Sequence, residues 1–137
     1  MSPTQTPERV ELGKFFEISA REFEAGNTAP EMFSTAIDAE WHRLLGTPQY
    51  AAFSSQHAGQ VFAHVGSYGT GRVSWICAYE EVFGPLPDIW FADTDGTVDR
   101  EAADRYRATG EVWAEWNCSP VPGDPETAPK RKKGTPR

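Results

Sequence analysis

Apolar positions from Val10 to Phe83 mostly recur every three or four residues, the spacing of one face of a helix. Over Glu8 to Ala25, the positions Val10, Phe15, Ile18 or Ser19 and Phe23 predict a first helix. Gly26-Asn27 stops it, and Gly13 weakens its middle. Thr28-Ala29-Pro30-Glu31 has the S/T-x-x-E form of a capping box, with proline in the first turn. It predicts a second helix with the stripe Phe33, Ile37, Trp41, Leu44 and Leu45, ended by Gly46. Thr47-Pro48 begins a third, lined by Tyr50, Phe53, His57, Val61 and His64. The run GSYGTG (66–71) reads as a mobile loop between helices. Trp75, Ile76, Tyr79, Val82 and Phe83 return to helical spacing, with Gly84 as the cap and Pro85-Leu86-Pro87 as a barrier. A strand over Val73–Ala78 fits the same short run.

Beyond Pro87 the period changes. Ile89-Trp90-Phe91 is strand-like, Asp95-Gly96 is a turn dipeptide, and Thr97-Val98 can return as a second strand. Asp99 can cap a helix over REAADRYRAT that Gly110 closes. Glu111 to Trp116 alternates, with Val112, Ala114 and Trp116 opposite Trp113 and Glu115, and predicts a last strand. The expected fold is α+β: a helical N-terminal two-thirds followed by a small antiparallel sheet with one helix. One domain spans residues 8–119, after a flexible start (1–7) and before a disordered, proline-rich basic tail (120–137).

Composition supports a packed core, since 39% of the 137 residues are hydrophobic and they include five Trp, four Tyr and eight Phe. No apolar run approaches the roughly 20 residues a bilayer span needs. The first residues lack the basic start and apolar stretch of a secretory signal, so no membrane association and a cytoplasmic location are expected. Cys77 and Cys118 form no Cys-x-x-Cys pair and read as two ordinary thiols. The net charge of −7 is unevenly spread. Residues 120–137 hold five bases and two acids (+3), whereas 1–119 hold eight bases and 18 acids (−10). That body repels a phosphate backbone, so nucleic acid is expected only weakly, through Lys130, Arg131, Lys132 and Lys133.

The stretch IWFADTDGTVDRE (89–101) carries the most suggestive chemistry. Its Asp-x-Asp-Gly-Thr-Val resembles the first motif of haloacid-dehalogenase-type phosphatases, which implies Asp93 as nucleophile, Asp95 as proton donor and Mg²⁺ as counterion. The downstream lysine of that family is missing outside the tail, and too little chain remains for its doubly wound sheet. As a calcium loop with Gly96 sixth, the stretch has Phe91 at the first ligand position and Ala102 where a bidentate Glu belongs. Asp93, Asp95 and Asp99 remain as weak metal candidates. A tight turn at Asp95-Gly96 with Asp99 capping the next helix satisfies the same residues.

The histidines suggest no ligand set by spacing: His57 and His64 are seven apart on the third helix, and His42 stands alone. GSYGTGR lacks the Gly-Lys-Ser/Thr ending of a phosphate loop. Trp41 and Trp75 belong to apolar helix faces, whereas Trp90, Trp113 and Trp116 fall in the expected sheet. Trp113 and Trp116 point to opposite faces there.

The segments AEWHRLL, YEEVFGPLP, IWFADTDGTVD and AEWNCSP resemble a set of small proteins from high-GC actinobacteria, over about Asp38 to Pro120. The resemblance implies a lineage and no activity. The sequence is therefore read as a non-enzymatic module that binds another protein through an acidic, aromatic surface, with Trp90, Trp113, Glu115 and Trp116 as binding candidates and no cofactor. The rivals are a small metal-assisted hydrolase or phosphoryl-transfer enzyme using Asp93 and Asp95, and a nucleic-acid accessory factor acting through the tail.

Overall fold

A computed structural model describes residues 6–123. The basic cluster Lys130–Lys133 and the nucleic-acid reading attached to it lie outside these residues. The fold is α+β: five α-helices among the described residues, with a two-stranded antiparallel sheet. In chain order these are α1 (Pro7–Glu24), α2 (Thr35–Leu45), α3 (Tyr50–Ala58), β1 (Phe62–Arg72), α4 (Ile76–Phe83), a 3-10 turn (Asp88–Phe91), α5 (Arg100–Thr109) and β2 (Trp113–Pro122). None of the described helices is long and apolar enough to cross a membrane.

Helix α1 is the hub and packs against α2, α3, α4 and the 3-10 turn. Thr6 caps it by accepting from the Arg9 N–H at 3.2 Å, and Pro7 occupies the first turn, where no donor is lost. Its Leu12, Phe15, Phe16 and Ile18 are fully buried. The ring of Phe15 lies 6.0 Å from Trp41, 5.1 Å from Trp75 and 5.9 Å from Trp90. Such tilted and edge-on aromatic pairs add roughly 0.5–1.5 kcal/mol each beyond the area they bury. Gly13, expected only to weaken the helix, has a packing role. A Cβ there would stand 2.7 Å from the His57 ring of α3, so glycine sets how closely the two helices approach.

One carboxylate sits inside this aromatic core. Glu11 is 4% exposed, and its Oε1 accepts from the Tyr79 hydroxyl at 2.5 Å and the Trp90 indole N–H at 2.9 Å. Lys14 Nζ donates to Oε2 at 3.0 Å, so the buried charge is both paired and hydrogen-bonded. Burial first, then the Glu11 carboxylate beside it, push the Tyr79 phenol far above its ordinary value.

Four sequence expectations are corrected. The second helix starts from Ser34, whose hydroxyl accepts from the Ile37 N–H at 3.2 Å, and not from Thr28. Glu31 cannot complete the capping box because its Oε1 accepts from the N–H and hydroxyl of Ser74, at 3.0 and 2.8 Å. The third helix stops at Ala58, where Gly59 turns left-handed at φ 77°, so His64 is not on it. Residues 66–71 are not a loop between helices. They lie within β1, which pairs with β2 from Phe62↔Pro122 to Arg72↔Trp113, with a register shift between Gly66 and Gly69. Ile89–Phe91 forms a 3-10 turn and not a strand, and Thr97-Val98 contributes one isolated bridge, Ala92↔Val98. The remaining open choice resolves as helix α4, and β2 extends through Pro122, beyond the expected domain edge at 119.

Candidate functional site

The loop from Asp93 to Asp99 is a turn built by its own carboxylates. Asp93 Oδ1 accepts from the N–H groups of Asp95 and Thr97, at 3.0 and 3.1 Å, while Gly96 takes φ 86°. Asp99 caps α5 by accepting from the Ala102 N–H at 3.1 Å. Asp95 is exposed and does not line the groove that the loop borders. The Asp93 and Asp99 carboxylates are therefore engaged in local backbone structure, and among the described residues the three aspartates form no cluster of metal-ligand spacing.

What the loop does form is one wall of a groove of about 520 Å³. Its floor is Phe33, Trp90, Phe91 and Val112, all apolar. Trp90 reaches it only from below: it is 1% exposed and its indole N–H is committed to Glu11. Trp113 stands at the rim and is 55% exposed, with its N–H donated to Glu111 at 3.0 Å. Asp93, Asp99, Glu101 and Glu111 line the same groove beside one cation, Arg105. Arg105 lies 3.6 Å from Glu101, and among the described residues Asp93, Asp99 and Glu111 have no salt-bridge partner.

Glu115 and Trp116 belong to a neighbouring hollow of about 620 Å³, with Asp38, Tyr68 and Gly69. Phe33 and Thr35 line both cavities, so the two lie side by side along β2. Alternation along the strand puts Trp113 and Glu115 outward and leaves Trp116 half-buried over Gly69, as the sequence pattern requires. Tyr68, in the irregular part of β1, is 85% exposed.

A second constellation went unseen in the sequence. Asp38 and His42 are four apart on α2, and the His42 Nε2 lies 3.3 Å from Asp38 Oδ2. His64 of β1 places its Nε2 3.1 Å from Asp38 Oδ1, and the Cys118 thiol of β2 donates to the same oxygen at 3.2 Å. The rings of His42 and His64 are 4.3 Å apart. Burial works to raise the Asp38 carboxyl, but the His64 and Cys118 hydrogen bonds and the two imidazoles outweigh it and hold it below the ordinary value. Burial, then the Asp38 charge, push the Cys118 thiol up. The one visible signal was the Asp38-x-x-x-His42 spacing on a helix. The other half depends on β1 pairing with β2, which brings together residues over 50 positions apart. No protein family, curated protein or solved structure matches the chain.

Proposed function

We propose that the protein is a cytoplasmic binding module that takes a lysine- or arginine-rich segment of a protein partner into the groove beneath Trp113. The observation that supports it is the pairing of an exposed indole with an excess of carboxylates around one apolar floor. An indole face attracts a cation by roughly 0.5–1 kcal/mol at exposed sites and more when water is excluded. Asp93, Asp99 and Glu111 supply the complementary charge, while Phe91 and Val112 accept the aliphatic stem of the same side chain. Free thiols at Cys77 and Cys118 suit a reducing compartment.

Fluorescence anisotropy with a labelled Lys/Arg-rich peptide and a Glu-rich peptide of equal length tests this reading. Only the basic peptide binds, its affinity falls as salt rises, and Trp113→Ala weakens it by several-fold to about tenfold. Equal binding of both peptides, or no effect of Trp113→Ala, removes the reading.

A further inference from the structure

We propose that Asp38, His42, His64 and Cys118 form a Zn²⁺ site that fastens helix α2 to the β1–β2 ribbon. Three of the donors, one atom each from Asp38, His64 and Cys118, already lie within 4.8 Å of one another. His42 supplies a fourth from one helical turn beyond Asp38, 3.3 Å from that carboxylate. Tetrahedral zinc with bonds of ~2.0–2.3 Å needs donor separations of ~3.3–3.8 Å, so Asp38, His64 and Cys118 need only small adjustments, while the exposed His42 ring, on the other carboxylate oxygen, swings in by side-chain rotation with no change of fold.

The backbone explains why these four meet. His64 faces Pro120 and Gly66 faces Cys118 across the ladder, so His64 and Cys118 are diagonal neighbours on one face of the ribbon. Gly66 puts no side chain opposite Cys118, and nothing lies within 4 Å of where its Cβ would be. The Trp41 ring stands edge-on to His64 at 4.5 Å and fixes the imidazole against α2. Side-chain exposure of 16% at His64 and 22% at Asp38, against 59% at His42, gives a site closed on the inside and entered past His42.

The donor set selects the metal. A thiolate with two imidazoles favours Zn²⁺ over Mg²⁺ or Ca²⁺, which take oxygen ligands. Binding replaces the thiol proton, which passes to solvent, and leaves each imidazole neutral with its proton on Nδ1. One thiolate, one carboxylate and Zn²⁺ then sum to zero charge, which suits a half-buried location. Four protein ligands make the site structural.

The full chain, stripped of metal with a chelator, is titrated with Co²⁺ and then with Zn²⁺ against a chromophoric chelator. The expected result is one Co²⁺ per chain, with the visible bands of a tetrahedral complex and a near-ultraviolet thiolate charge-transfer band, displaced by Zn²⁺. Cys118→Ser abolishes the charge-transfer band, and His64→Gln and His42→Ala each weaken Zn²⁺ at least tenfold, whereas Cys77→Ser changes nothing. His42 is mostly exposed, so His42→Ala folds and remains readable if a buried variant does not. Folded wild-type protein with no tetrahedral Co²⁺ spectrum overturns the proposal, as does a spectrum unaffected by His42→Ala. The outcome is independent of the basic-segment reading, because no zinc donor other than Asp38 borders either hollow and none borders the Trp113 groove.

Discussion

Gly69 lies directly under the indole of Trp116: a Cβ on Gly69 would meet the ring at 2.6 Å. The glycine gives β1 a flat surface, and the aromatic ring covers the backbone that the missing side chain leaves bare. Gly69 has no positive φ, so its requirement is steric and not conformational. Gly69→Ala is expected to cost about 1–3 kcal/mol by overpacking. In a Trp116→Ala background the same change costs much less. Urea unfolding of the four proteins of that cycle measures the coupling.

The buried carboxylate of Glu11 makes a second prediction. Glu11→Ala strands the Tyr79 hydroxyl and the Trp90 indole N–H inside the core, and is expected to cost about 3–5 kcal/mol. Lys14→Ala removes only the partly exposed member of the pair and costs about 1 kcal/mol or less. Guanidinium midpoints of the two variants separate these outcomes, and equal losses would contradict the assignment of Glu11 as the anchor.

Much of this architecture was legible because it is local. Helix α5 follows from Asp99, Gly110 and the residues between them, and the structure shows Asp99 capping and Gly110 at φ 79° as expected. The start of β2, with Trp113 outward and Trp116 inward, follows from simple alternation. What failed depends on partners distant in sequence. The capping box at Thr28–Glu31 is locally sound, yet Ser74 takes its glutamate. Gly66, Gly69 and Gly71 lower the strand propensity of β1, and only pairing with residues 113–122 makes it a strand. The acidic aromatic groove was half legible, in Trp113 and the Asp93–Asp99 loop. The Asp38–His64–Cys118 cluster was not, since the predicted helix carried His64 away from Cys118.

Helix α5 offers a direct test of its cap. Asp99→Ala removes the acceptor for the Ala102 N–H and the favourable charge at the helix start, and is expected to cost about 1 kcal/mol. Thermal denaturation followed by circular dichroism reads it, with Asp95→Ala, which caps nothing, as the unaffected control.

His57 gives stability a pH dependence. Burial against α1 lowers its folded-state pKa, only partly opposed by Glu17. Well above the ordinary histidine value of 6.5 both states are neutral and the residue contributes nothing. As pH falls through that value the unfolded chain takes up the proton first, so stability declines until the folded-state pKa is passed. His57→Gln is expected to flatten the stability profile between about pH 7 and 5, measured by urea unfolding at each pH. An unchanged slope would show that His57 is not the group responsible.

The most direct test of the proposed binding role is the indole N–H resonance of Trp113 in a ¹⁵N-labelled sample titrated with a Lys/Arg-rich peptide. The account predicts a saturable shift of Trp113, with the buried indoles of Trp41 and Trp75 unmoved and the effect reduced by added salt. A Trp113 resonance that stays in place while the peptide binds, or one that responds equally to a Glu-rich peptide, would contradict it.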